Sequence, residues 1–230
     1  MPDSSWTVVE PSLPAFTYTY AFGPGIANAL ALPVEGGLAV VSPPCNVPDS
    51  VFTELEKHGP VRAILVPNAF HSLGLAPWKA RYPGVPIFAP AQSIARLEKE
   101  TKLTGIRPVA ELQSMLKDGV EIIDMPHYKT GEALVRWRIE GGYAWYVTDV
   151  MFNMPTLPPG LVWLVFRWTR SAPGLRRNAL AGLFMVKNKR ALYGWLVEQA
   201  EKTPPILLVP CHGKVERLAD PAAAVKAAVS

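Results

Sequence analysis

The chain has few of the residues that staple, coordinate or anchor a protein. Its 230 residues include two cysteines, Cys45 and Cys211, and four histidines. The cysteines lie far apart and form no C-x-x-C pair, which excludes a zinc finger or a disulfide framework and makes a reducing compartment, the cytoplasm, the expectation. No basic segment leading into a continuous apolar stretch opens the sequence, so no secretory signal is expected. The most apolar run, Gly160 to Phe166, is far short of the roughly 20 residues that cross a bilayer. Acidic residues are missing between Asp149 and Glu198, where Arg167, Arg170, Arg176, Arg177, Lys187, Lys189 and Arg190 stand. Seven of the 23 Lys and Arg residues thus fall in one stretch, leaving 16 against 19 Asp and Glu. The net charge of +4 is local, and the body of the chain is acidic.

What is plentiful is apolar residues, 49% of the chain, and 24 prolines with 17 glycines. The first supplies a core, and the second cuts the chain into short elements. No linker or composition break divides it, so residues 1–230 read as one domain with a basic, aromatic, helical insertion at about 155–190. Phe16 to Phe22 alternates with period two, and Ala27–Pro33 and Leu38–Val41 flank a Glu35-Gly36-Gly37 turn. Helices are expected near Val51–Leu55, Ala76–Tyr82 and Ala91–Glu100, with strands Arg62–Pro67 and Val85–Ala89 between them. Strands Val120–Met125, Ala133–Ile139 and Tyr143–Thr148 follow, the last two joined through Glu140-Gly141-Gly142. A helix over Ala191–Lys202, a strand over Ile206–Pro210 and a helix opening at Asp220-Pro221 close the chain. Strand and helix alternation of this kind predicts an α/β layer fold.

Three histidines stand just after expected strands: His71, His127 and His212. Asp149 stands after a fourth, whereas His58 belongs to the end of a helix. Strand ends are where α/β sheets assemble sites, and imidazole with carboxylate suits one divalent cation, zinc, iron or manganese. The same residues also suit hydrogen bonding in a metal-free cleft. A thiol mechanism needs Cys211 paired across the site with His71 or His127, Asp149 orienting the imidazole, because Cys211 and His212 point to opposite faces of a strand.

Several segments together resemble the metallo-β-lactamase fold superfamily. They are Asn28–Leu32 with Gly37–Val41, Val61 to Ala89, Trp145–Phe152 with its Thr148-Asp149-Val150 step, and Val209-Pro210-Cys211-His212-Gly213. The resemblance implies an αββα four-layer sandwich and a hydrolase scaffold with Asp149 and His212 as catalytic residues. The signature H-x-H-x-D-H is replaced by Pro67-Asn68-Ala69-Phe70-His71-Ser72-Leu73, and Ser42-Pro43-Pro44 stands where the family keeps an aspartate. In Met125–Gly131, aligning Thr130-Gly131 puts Tyr128 at the ligand position and His127 one step off. His71, His127, Asp149 and His212 are too few for two metals, which leaves one metal or none. The pattern resembles a divergent bacterial branch in which a Pro-Asn-x-x-His run replaces the signature.

The resemblance also implies that the insertion caps the site. Trp163, Phe166 and Trp168 would then line an apolar pocket with Tyr128, and Arg176 and Arg177 would bind an anionic group of a small-molecule ligand or substrate. The expected activity is hydrolysis of an ester-like compound by a single bound metal. The alternative is a metal-free binding protein. Residues 160–190 also suit a membrane surface or an oligomer contact. Nucleic acid is not expected, because the aromatics sit in apolar runs instead of among glycines and basic residues.

Overall fold

The computed structural model describes residues 5–23, 25–157 and 162–230. The first sheet takes its seven strands in chain order: β1 (Thr7–Glu10), β2 (Ala15–Phe22), β3 (Gly25–Val34), β4 (Gly37–Val41), β5 (Val61–Leu65), β6 (Ile87–Ala89) and β7 (Arg107–Pro108). Antiparallel pairing up to β4 gives way to parallel pairing from β4 onward. The change follows from the connections: Gly36, at φ 72°, makes the tight β3–β4 turn, whereas β4 and β5 are joined by a helical crossover.

Strands β8 (Val120–Asp124), β9 (Ala133–Ile139) and β10 (Gly142–Val147) begin the second sheet. A separate ribbon pairs β11 (Met151–Met154) with β12 (Gly174–Arg177). β13 (Pro205–Pro210) and β14 (Glu216–Arg217) complete the second sheet in the order β14-β13-β10-β9-β8, with β10 and β13 parallel.

The helices are α1 (Asp49–Glu56), α2 (Leu75–Arg81), α3 (Ala91–Thr101), the short α4 (Val109–Leu112), α5 (Val162–Trp168), α6 (Ala179–Phe184), α7 (Lys189–Lys202) and α8 (Pro221–Val229). Strand alternation divides their partners. Ala144 and Tyr146 of β10 join the core shared with the first sheet and with Phe52, Leu55, Trp78 and Leu97 of α1–α3. Trp145 and Val147, on the opposite face, pack with Leu192 and Leu196 of α7 and Val225 of α8. Both faces of β10 are therefore buried, and the layers run helix, sheet, sheet, helix, the αββα sandwich that the sequence implied.

The expected elements all form, with ends shifted by a few residues. The basic segment departs from expectation, because it is not helical throughout: β12 separates α5 from α6. Pro158, Pro159, Gly160 and Leu161 of its Pro-rich entry lie outside the described residues.

Candidate functional site

Parallel pairing of β4 with β5 and of β10 with β13 brings four strand C-termini to one edge of the sandwich. Each delivers a polar residue. Ser42 follows β4 at φ 54°, His71 lies on the loop after β5, Asp149 follows β10, and Cys211 and His212 follow β13. Gly213 allows this last turn. Its φ of 122° suits glycine, and a Cβ there would lie 2.1 Å from the carbonyl oxygen of Asn153.

Asp149 lies between two imidazoles. Its Oδ2 is 3.4 Å from His71 Nε2 and its Oδ1 is 3.5 Å from His212 Nε2. These separations are long for charge-assisted hydrogen bonds, which run about 2.7–2.9 Å. The two contacts reach opposite oxygens of the carboxylate, so Asp149 presents one donor atom toward each imidazole. The other nitrogen of each ring is held from behind. His212 Nδ1 faces the carbonyl of Ile26 at 3.3 Å, and that carbonyl can only accept, so Nδ1 carries a proton. His71 Nδ1 contacts Ser42 Oγ at 2.7 Å and Cys211 Sγ at 3.7 Å. One donor atom from each of His71, Cys211 and His212 can be chosen so that all lie within 4.8 Å.

A buried network holds the carboxylate. Asn68 Nδ2 donates to Asp149 Oδ2 and to Glu132 Oε2, each at 2.9 Å, and its Oδ1 accepts from the Phe70 amide at 2.8 Å. Glu132 Oε1 accepts from the Thr148 hydroxyl and, at 3.0 Å, from the Asp149 amide. Burial, reinforced by the Asp149 charge, raises the Glu132 carboxyl to about 8. Burial also pushes Asp149 upward, but His71 and His212 outweigh it and hold that carboxyl well below the ordinary range. Cys211 follows the same logic: burial raises its thiol, and the two imidazoles bring it down to about 6. Burial disfavours the imidazolium forms, yet Cys211 and Asp149 move both histidines above their usual range.

A cavity of about 190 Å³ opens over this group, with Tyr20, Phe22, Ala27, Phe70 and Leu73 as walls and His71, Asp149 and His212 as the polar end. It is small beside the roughly 300–1,000 Å³ of drug-sized sites. Cys211 is fully buried and does not line it.

Three of the four expected ligands meet here; His127 does not. It is exposed in a left-handed turn, and its carbonyl accepts from the Lys187 amide. Tyr128 is buried in the second core, its hydroxyl without a partner among the described residues, and it is not part of the cavity wall. The cap is displaced as well. Trp163 and Trp168 are exposed, and Phe166 reaches the site only indirectly, stacking on Phe152, whose ring meets His212 edge-on. Arg176 and Arg177 line a different cavity. Residue patterns give no signal for Glu132, and Asn68 enters them only as part of the Pro-Asn-x-x-His run in place of the signature. The detectable signal was Asn68 three residues before His71, where an Asn side chain closes a turn onto the following backbone.

No known family profile and no curated protein matches the chain. Solved structures do. The metallo-beta-lactamase FIM-1 from Pseudomonas aeruginosa, in its mono-zinc form, is 13% identical over 97% of this chain and 93% of its own, with a TM-score of 0.60. A metallo-beta-lactamase from Hirschia baltica is 14% identical over 99% of this chain and 96% of its own, at 0.57. A flavo di-iron protein variant from Thermotoga maritima is 14% identical over all of this chain and 62% of its own, at 0.60. With its two sheets and outer helices in the αββα arrangement, this chain has the metallo-β-lactamase fold.

Proposed function

We propose that the cleft holds one divalent cation, zinc by its donor set, and hydrolyses a small, apolar, ester-like substrate. The observation that carries this reading is the placement of the Asp149 carboxylate between two imidazoles, with each Nε2 within 3.5 Å of a carboxylate oxygen at the polar end of the cavity. Two imidazoles and a carboxylate are a known catalytic zinc set, of the kind that keeps a further position for water or substrate. When bound, such an ion supplies a water acidified toward neutrality and polarises an acyl oxygen.

The remaining tasks belong to the chain. Ser42 and Ile26 fix the ring orientations of His71 and His212 from behind, as outer partners of metal-ligating histidines do. Asn68 and Glu132 hold the Asp149 carboxylate in place. Tyr20, Phe22, Phe70 and Leu73 exclude water and grip an apolar acyl or alcohol group. Cys211 sits behind His71, where it tunes that imidazole. Its burial keeps it from attacking a substrate, which is why the metal reading is preferred to a thiol mechanism.

Metal analysis of protein purified without chelator tests the proposal. About one equivalent is expected, lost in His71→Ala and His212→Ala but kept in Cys211→Ser. A hundredfold excess of zinc over its dissociation constant should stabilise the apoprotein by about 2.7 kcal/mol. Stoichiometry near zero, with an unchanged melting temperature on adding zinc, iron or manganese, would sink the metal reading and leave a metal-free binding cleft.

A further inference from the structure

Away from the candidate site, the basic segment folds into a surface with two unusual features side by side. The first is apolar exposure on α5. Trp163, Leu164, Val165 and Trp168 are 40%, 49%, 39% and 87% exposed. Phe166 is the inward anchor of the same helix, stacked on Phe152 at 5.8 Å between centroids. The second is a cavity of about 430 Å³ lined by Arg167, Arg170, Arg176 and Arg177 with Thr169 and Ser230. None of the four guanidinium groups pairs with a carboxylate side chain among the described residues. Arg177 donates to the Val229 carbonyl and to the main-chain oxygen of Ser230, and Arg176 donates to the Leu175 carbonyl at 3.4 Å.

Four guanidinium groups around one cavity, none of them paired with a carboxylate side chain among the described residues, favour an external anion. Guanidinium forks match phosphate oxygens, and a cavity of this size admits a phosphate-bearing headgroup. Exposed tryptophans directly beside it are unfavourable in water and favourable at a headgroup boundary, where one end of the ring is wet and the other apolar. We propose that α5 and the arginine cavity form a docking surface for an anionic phospholipid membrane, with Trp163 and Trp168 entering the interface and the arginines holding a lipid phosphate. The protein then rests on the bilayer without crossing it; no helix among the described residues is long and apolar enough to span one.

Co-flotation of the whole protein with vesicles tests this. Vesicles of phosphatidylserine in phosphatidylcholine should carry the protein at low salt, and pure phosphatidylcholine vesicles should carry much less. The double variant Arg170→Glu, Arg176→Glu should lower affinity by at least on the order of thirty-fold, from roughly 1 kcal/mol for each basic residue at an anionic surface. Trp168→Ser, at a site exposed enough to leave folding intact, should also weaken binding. In the unaltered protein, tryptophan fluorescence should shift to the blue on adding the anionic vesicles and be quenched by brominated acyl chains. Equal binding to neutral vesicles, or full binding by the double arginine variant, would overturn the proposal. So would a dimer in solution that Trp168→Ser dissociates while vesicles bind neither form, since the occupant would then be a second copy of the chain.

Discussion

Asp124 shows how one side chain can carry a pH dependence. Its Oδ1 is buried at the end of β8 without a hydrogen-bond partner among the described residues, and burial raises its carboxyl above the ordinary 3.8, against a hydrogen bond from the Ala91 amide. An acid whose value is raised on folding keeps a proton that the unfolded chain has released. Its contribution to stability is complete below 3.8 and is lost as pH rises through the folded value. Asp124→Asn removes the buried charge while keeping an oxygen for Ala91, so the variant should melt higher than the parent at pH 7. The difference should vanish in acid below pH 3.8, as scanning calorimetry across pH would show. Residue identity alone does not reveal such effects. Asp124 and Glu121 belong to the same predicted strand, yet Glu121 pairs with Arg136 while Asp124 Oδ1 has no partner among the described residues. The same holds at the site, where burial and the Asp149 charge raise Glu132 to about 8, while Asp149, next to it and also buried, is lowered by the two imidazoles it faces.

At the level of elements, the turn after β13 concentrates the demands of the site. Cys211 is tied to β10 through its amide and to β3 through its carbonyl, His212 presents its ring to Asp149, and the His212 carbonyl accepts from the Asn153 amide. Gly213 must then pass close to β11. Gly213→Ala adds a Cβ 2.1 Å from the Asn153 oxygen in a backbone conformation that side chains resist. It should cost more than about 2 kcal/mol in urea unfolding. Because the forced shift moves His212, it should also lower metal stoichiometry in protein that remains folded. The Pro-Cys-His-Gly pattern made this turn legible in the sequence, since glycine after a strand-end histidine has a local conformational reason. The basic segment was less legible. Its aromatic run forms α5, but β12 owes its form to pairing with β11, a partner 20 to 26 residues away that local periodicity does not register.

Across the whole molecule, the two sheets are pinned beneath the site by a few buried polar contacts. Asn28 on β3 donates from Nδ2 to the carbonyls of Pro210 and Gly213 at 2.8 and 2.9 Å, and the Tyr146 hydroxyl on β10 donates to the Asn28 carbonyl at 2.7 Å. These bonds join residues 118 to 185 positions apart. Asn28→Ala would strip two carbonyls of their donor, so it should lower unfolding free energy by about 2–3 kcal/mol. Chemical denaturation should show that loss with an unchanged slope against denaturant, since the fold itself is retained. A loss below about 0.5 kcal/mol would mean that packing between the sheets, and not these bonds, sets their alignment.

The sequence by itself determined the order of strands and helices, the glycine turns, and the placement of His71, Asp149 and His212 at strand ends. Each of these depends on side-chain period or backbone freedom within a few residues, and both are written locally. Only the tertiary structure decided which strand ends converge. It joined His71, Asp149 and His212, left His127 in an exposed turn, brought Ser42 and Cys211 behind His71, and supplied Asn68 and Glu132 as the support of the carboxylate. It also moved Arg176 and Arg177 from an expected cap to a separate cavity. Those outcomes depend on parallel pairing and sheet stacking between residues far apart in the chain, where the free energy of contact comes from burial and charge that no local pattern encodes.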